Sequence, residues 1–510
     1  MNAVNQLGGA RRVPRAIAHR SRALAGRVHR TPAPLALLLA VTAVLGLAWA
    51  VVMPPFQGPD ESDHFAYVQH LAETGSAPSS TVFSGAGSYS TEQGEALSAL
   101  GLRATLANPT ARPMWSTLDQ QRWERFERML PQNGRSDGEG ADPAAKNPPA
   151  YYAYEGVFYR LSPDTSLFGR QLVTRLASVL LLMLTVGLVW IAASELTRQT
   201  WARVLAAGVV ALQPQLSFIG AIVNPDILLV AVWTAFITLS IVTLNRGPTT
   251  ARVLGLFALA ALSLLTHGRG IALLPPLALV LALSWWRDRP AWRVAVRWLA
   301  GGLAVLAAAL IAFRLYTSGN GGGALYGGQV AAFQQHSINL REFLSYVWQF
   351  YLPPLPVLEQ HLGPPYGFRQ LFVETFFGTF GSLDVRLPGR IYALLQIASV
   401  LGLVALYTAV VVRWRELRAR WYIALALAGL GLTGIVFLHV VSYLALLGAP
   451  DPVIVGRYLL PMIALFALAV TFVATSLPRR IGPLFAAVVL ACGVLLQLAG
   501  LGLTVIRFYA

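Results

Sequence analysis

The chain of 510 residues is 55% hydrophobic and only 12% charged, with a mean hydropathy of +0.57. This balance excludes an ordinary soluble domain and identifies a chain that crosses a membrane many times. The net charge of +16 does not mark a nucleic-acid partner, because the arginines cluster in short segments between apolar runs, as membrane topology requires.

The first 34 residues carry Arg11, Arg12, Arg15, Arg20, Arg22, Arg27 and Arg30 and no acid, so this basic segment is assigned to the cytoplasm. Residues 35–510 read as one transmembrane domain. Its first apolar run, 35–53, contains "AWA" at 48–50, a small-x-small pattern, but the arginine-rich lead and the many later runs favour an anchor over a cleaved signal. Further runs follow at 172–193, 204–222, 227–244, 253–266, 270–286, 298–316, 391–412, 422–447, 458–476 and 484–506, giving about eleven transmembrane helices. The fifth and sixth are separated only by "THGRG" and read as a hairpin or as one broken segment. With eleven spans, the arginine-rich turns 287–297, 413–420 and 478–480 all fall in the cytoplasm, and Ala510 lies outside. Cys492 is alone inside an apolar run, which excludes an intrachain disulfide and a multi-cysteine metal site.

Two connections are long, 54–171 and 317–390, and both are extracytoplasmic on this count. Long loops carry function more often than short ones. Within them, 79–95 and 132–147 are polar and glycine-rich and expected to be irregular or mobile, while 317–328 lacks the Lys-Ser/Thr ending of a phosphate loop and reads as a flexible hinge or lid. The aromatic stretch 147–161 suits the membrane interface, and 342–356 suits an interfacial helix ended by prolines.

The stretch "PPFQGPDESDHF" (54–65) leaves the first span directly. Gly58 and Pro59 favour a helix start, and Phe65, Val68 and Leu71 recur at helical spacing before Gly75. Asp60 and Glu61 then sit in the first turn, where they complement the helix dipole. They also sit at the membrane surface beside His64, where a half-desolvated carboxylate can act as a general base toward a hydroxyl. "VNPD" (223–226) places Asn224 and Asp226 on the same side. "THGRG" adds His267 and Arg269, and "GRYLLP" (456–461) adds Arg457 and Tyr458. Each has an ordinary use in capping, snorkelling or anchoring. Together they suit a lipid-linked phosphate bearing a sugar: arginine forks hold the phosphate while a carboxylate activates an acceptor.

In this order, "PDESDHF", "NPPAYY", "RLASVLL", "NPD", "FFGTFGSLD" (376–384) and "GRYLLP" resemble a family of bacterial polytopic membrane proteins related to the GT-C glycosyltransferase superfamily. The resemblance covers most of the chain from about residue 35. It implies an all-α integral membrane bundle that transfers a sugar from a polyprenyl-phosphate donor on the extracytoplasmic side, with Asp60 and Glu61 as the acidic motif. The acceptor would be an envelope glycan, glycolipid or glycoprotein; membrane lipids are the other partners, with no nucleic acid. Arg269 and Arg457 are assigned to the phosphate on chemistry alone, with histidine and arginine standing in "LLTHGRG" where lysine is expected. Asp60 and Asp226 could hold a divalent metal, although two acids distant in sequence do not define such a site. A ligase or polymerase using a lipid-diphosphate donor, and a transporter of envelope lipids or glycans, are the alternative readings. A transporter would place ionisable groups near mid-span, as only Arg175 and Arg314 are here.

Overall fold

A computed structural model describes residues 31–78, 89–112, 115–139, 144–317, 339–352, 355–358, 368–448 and 455–510. Residues 1–30 of the basic lead, and most of the stretches 79–95 and 317–328, lie outside the described residues.

After α1 (Ala33–Val52), the first long connection folds into α2 (Glu61–Thr74), α3 (Thr91–Ala99), α4 (Leu102–Ala107), α5 (Thr117–Arg128) and α6 (Ala150–Arg160). The chain continues through α7 (Leu167–Leu196), α8 (Thr200–Ala211), α9 (Pro214–Ile219), α10 (Asp226–Arg246), α11 (Thr250–Thr266), α12 (Leu274–Asp288) and α13 (Trp292–Thr317). The second long connection holds α14 (Leu340–Tyr351) and α15 (Phe368–Phe377), and α16 (Gly389–Val412), α17 (Trp414–Ala419), α18 (Trp421–Gly448), α19 (Ile463–Ser476) and α20 (Ile481–Tyr509) complete the chain. Among the described residues the only extended structure is a two-residue antiparallel ladder, Thr379–Phe380 against Val385–Arg386. The protein is an all-α, multi-pass membrane protein.

Nine stretches among the described residues are long and apolar enough to cross a bilayer. They differ sharply in surroundings: 83% of the apolar window of α10 is buried by protein, against 6% of that of α16. An apolar helix so little covered by protein requires hydrocarbon around it. The expected third and fifth spans are shorter. Residues 204–222 are not one helix but α8 and α9, broken at Gln213 because Pro214 has no N–H to continue the ladder. Gln213 fills the gap, accepting from the Leu216 N–H and donating to the Phe376 carbonyl at 2.5 Å. The 253–286 region is a hairpin: α11, of 17 residues, and α12 are joined by the 3₁₀ turn Gly268–Leu273. A Cβ at Gly270 would lie 2.0 Å from the Ser263 carbonyl oxygen, so only glycine permits this reversal.

The aromatic stretch 147–161 forms α6, which buries Tyr151, Tyr152 and Tyr159 against α2 and α7. Tyr152 stacks on Tyr67 of α2 with ring centroids 3.7 Å apart. α14 does end at Tyr351, ahead of Pro353, with Tyr346 and Phe350 buried on its inner face.

Candidate functional site

The stretch after α1 is shaped by a buried arginine. Arg175, near the start of α7, donates to the carbonyls of Ala50 (2.8 Å), Met53 (2.6 Å) and Pro54 (2.9 Å), which the end of α1 leaves without helical partners. It also pairs with Glu61 through two bonds of 2.7 and 2.6 Å. Glu61 is fully buried, and its Oε1 accepts the Val223 N–H at 3.2 Å. Both its oxygens are thus engaged, and its surroundings make it a brace between α2, α7 and the NPD loop. Of the two neighbouring carboxylates, Asp60 is the accessible one.

Asp60 precedes α2 in the left-handed region, at φ 56°, and its side chain makes no capping hydrogen bond. Its side chain is 55% exposed and its Oδ2 lies 3.9 Å from the guanidinium of Arg457. The NPD loop packs beside it: Asn224 donates to the Pro59 carbonyl at 3.4 Å and accepts the Asp226 N–H at 3.0 Å. Asn224, not the Asp226 side chain, therefore binds the first backbone N–H of α10. The Asp226 carboxylate pairs with Arg269, whose backbone N–H is bound by His267 Nδ1 at 3.1 Å. The Arg269 guanidinium lies 4.2 Å from the Tyr458 ring centroid and that of Arg457 5.7 Å from it. All nine candidate residues of the sequence analysis thus converge on one region at the ends of α1, α10, α11 and the 3₁₀ turn Gly456–Met462.

Two features give this region its chemical character. Arg269 Nη1 and Arg457 Nε are buried and have no hydrogen-bond partner in the protein. A buried donor without an acceptor costs roughly 1–3 kcal/mol, more for a charged group, which an anionic ligand oxygen would offset. His64, on α2, is neutral: burial pushes its pKa down to about 4, with Arg457 adding to the effect and Asp60, Asp226 and Glu61 opposing it. Its Nδ1 is 2.9 Å from the Tyr152 hydroxyl, so it serves as a hydrogen-bonding group rather than a cation. Among the described residues no group of three or more His, Cys, Asp or Glu side chains is arranged to hold a metal.

Sequence reasoning gave Tyr151 and Tyr152 no role and marked Arg175 only as an ionisable group near mid-span. "NPPAYY" stood out as a motif, but only the fold shows Tyr151 accepting the Asn224 N–H at 2.8 Å. The position of Arg457 has its own support. The Gly456 N–H donates to Thr375 Oγ1 at 2.6 Å, and a Cβ on Gly456 would lie 1.9 Å from the Phe372 carbonyl oxygen. The second long connection, through α15, thereby fixes the arginine contributed after it.

The family described as "Predicted membrane protein (DUF2142)" matches residues 43–466, and the chain belongs to that family. No curated protein matches it. Among solved structures it is similar to ArnT from Cupriavidus metallidurans bound to undecaprenyl phosphate, with 18% identity, a TM-score of 0.49 and coverage of 90% of this chain and 64% of that one. It is also similar to the Archaeoglobus fulgidus oligosaccharyltransferase in the apo form, with 14% identity, a TM-score of 0.42 and coverage of 94% and 56%. The chain spans less than two thirds of the length of either protein.

Proposed function

We propose that this member of the family is a membrane glycosyltransferase, moving a sugar from a polyprenyl-phosphate donor to an envelope glycan or glycolipid on the extracytoplasmic face of a bacterial cytoplasmic membrane. The observation that carries this reading is the pair of guanidiniums, Arg269 and Arg457, set against Tyr458 with buried donors unmet by protein. A phosphate oxygen meets both the charge and the geometry of such donors. Asp60, beside Arg457, supplies the accessible carboxylate that transfer requires.

In this reading Asp60 takes the proton of the acceptor hydroxyl as its oxygen attacks the anomeric carbon. The bond from that carbon to the phosphate oxygen breaks, and the lipid phosphate leaves with the electron pair, its charge held by Arg269 and Arg457. The configuration at the anomeric carbon inverts. The neutral His64 and Asn224 border the acceptor side and offer hydrogen bonds without adding charge.

Asp60→Asn tests the base. Transfer from a polyprenyl-phosphate sugar in reconstituted membranes should fall by roughly two to four orders of magnitude, the usual worth of a general base, with the protein at normal abundance. Retained transfer would remove Asp60 from the chemistry.

A further inference from the structure

The opposite end of the bundle carries a different surface. Asp226 and Arg246 open and close the 21-residue α10, which separates the two ends by about 30 Å. Around Arg246 lie five turns distant in sequence, 194–203, 245–252, 285–298, 412–422 and 476–482. The structure joins them edge to edge. Arg246 pairs with Glu195, and Trp298 donates to Thr250 Oγ1 at 2.9 Å. Trp286 meets Trp421 at 5.9 Å between centroids, and Arg413 donates at 3.1 Å to Oγ1 of Thr475, the residue just before the last of these turns.

These turns hold fourteen arginines against three acids. The acids are already bound: Glu195 by Arg246, Asp288 by Arg287 and Glu416 by Arg413. Arg289, Arg293, Arg297, Arg415, Arg418 and Arg420 are exposed, with no acid of these turns left to compensate them. Interleaved with them, Trp286, Trp292 and Trp414 are 70%, 67% and 59% exposed. Indole rings at that level settle among headgroups, and crowded guanidiniums require anions beside them. We infer that this face binds the phosphates of anionic phospholipids, gripping the bilayer leaflet at the end of the molecule remote from Asp60. The fringe of exposed tryptophans selects lipid over a soluble anion, which offers the indoles no apolar surface to settle against.

The full-length protein, reconstituted in an equal mixture of phosphatidylglycerol and phosphatidylcholine, is extracted and its retained lipids identified by native mass spectrometry. The wild type should retain phosphatidylglycerol preferentially. Near a surface each arginine is worth roughly fivefold in binding an anionic lipid. Arg415→Gln, Arg418→Gln and Arg420→Gln together should therefore weaken that preference by on the order of a hundredfold, while the three lysine replacements should keep most of it. Arg293→Gln with Arg297→Gln, on the adjoining hairpin, repeats the test should the triple variant fail to insert. Arg122→Gln with Arg125→Gln, on α5, should change nothing. Equal retention of both lipids by the wild type, or full preference in inserted glutamine variants, would overturn the inference. So would loss of phosphatidylglycerol to millimolar inorganic phosphate, which would give the face to soluble anions.

Discussion

Arg457 offers the sharpest test at the scale of single residues, because an anchor and a phosphate ligand respond differently to lysine. Its side chain is only 10% exposed, a poor position from which to snorkel to headgroups. Arg457→Lys keeps the charge and loses the planar fork. If it binds donor phosphate, lysine should weaken donor affinity by about one to two decades and alanine further, the range of a charge-assisted hydrogen bond of roughly 1.5–3 kcal/mol. Acceptor affinity should stay unchanged, and donor titration of the three proteins checks it. Equal affinities would make Arg457 an anchor. The residue types at this site were readable from the sequence, since each stands at the apolar boundary of a span. Their roles were not: Asp60 and Glu61 are neighbours, yet one is half exposed and the other sealed. Nothing local to "PDE" reveals that difference, which is made by Arg175 lying 114 positions away.

Among elements, the join between α1, α2 and α7 governs where Asp60 stands. Removing one member of a buried ion pair leaves an uncompensated charge and typically costs 3–5 kcal/mol. Arg175→Met should do so here, and it also strands the carbonyls of Ala50 and Met53. Detergent melting should show a clear loss of stability, only partly recovered by adding Glu61→Gln. Full recovery would mean that the carbonyl contacts contribute nothing. α2 itself was foreseeable: a glycine-proline start, apolar residues at helical spacing and Gly75 at φ 73° to end it. The break between α8 and α9 was also written in the chain, in the proline of "LQPQL", but a run of apolar residues conceals it. The hidden partner is Gln213, whose side chain replaces the missing ladder.

For the molecule as a whole, the apolar pattern and arginine clusters foretold an all-helical membrane bundle because hydrocarbon permits little else. If both shorter segments also traverse the bilayer, the crossings number eleven and the two ends of the chain face opposite compartments. A reporter active only in the cytoplasm, fused after Ala510, should then be silent; strong activity would remove one crossing. The last turn of α20 bears on how such a fusion is built. Arg507 binds Asp384 at 2.7 Å and the carbonyls of Thr105, Asn108 and Ala111, so one side chain near the end of the chain holds both long connections. The tail is thus a clasp rather than a loose thread. Trimming it ahead of Arg507 would unfasten two distant segments in a single cut, and a tag attached without a spacer would tug on both.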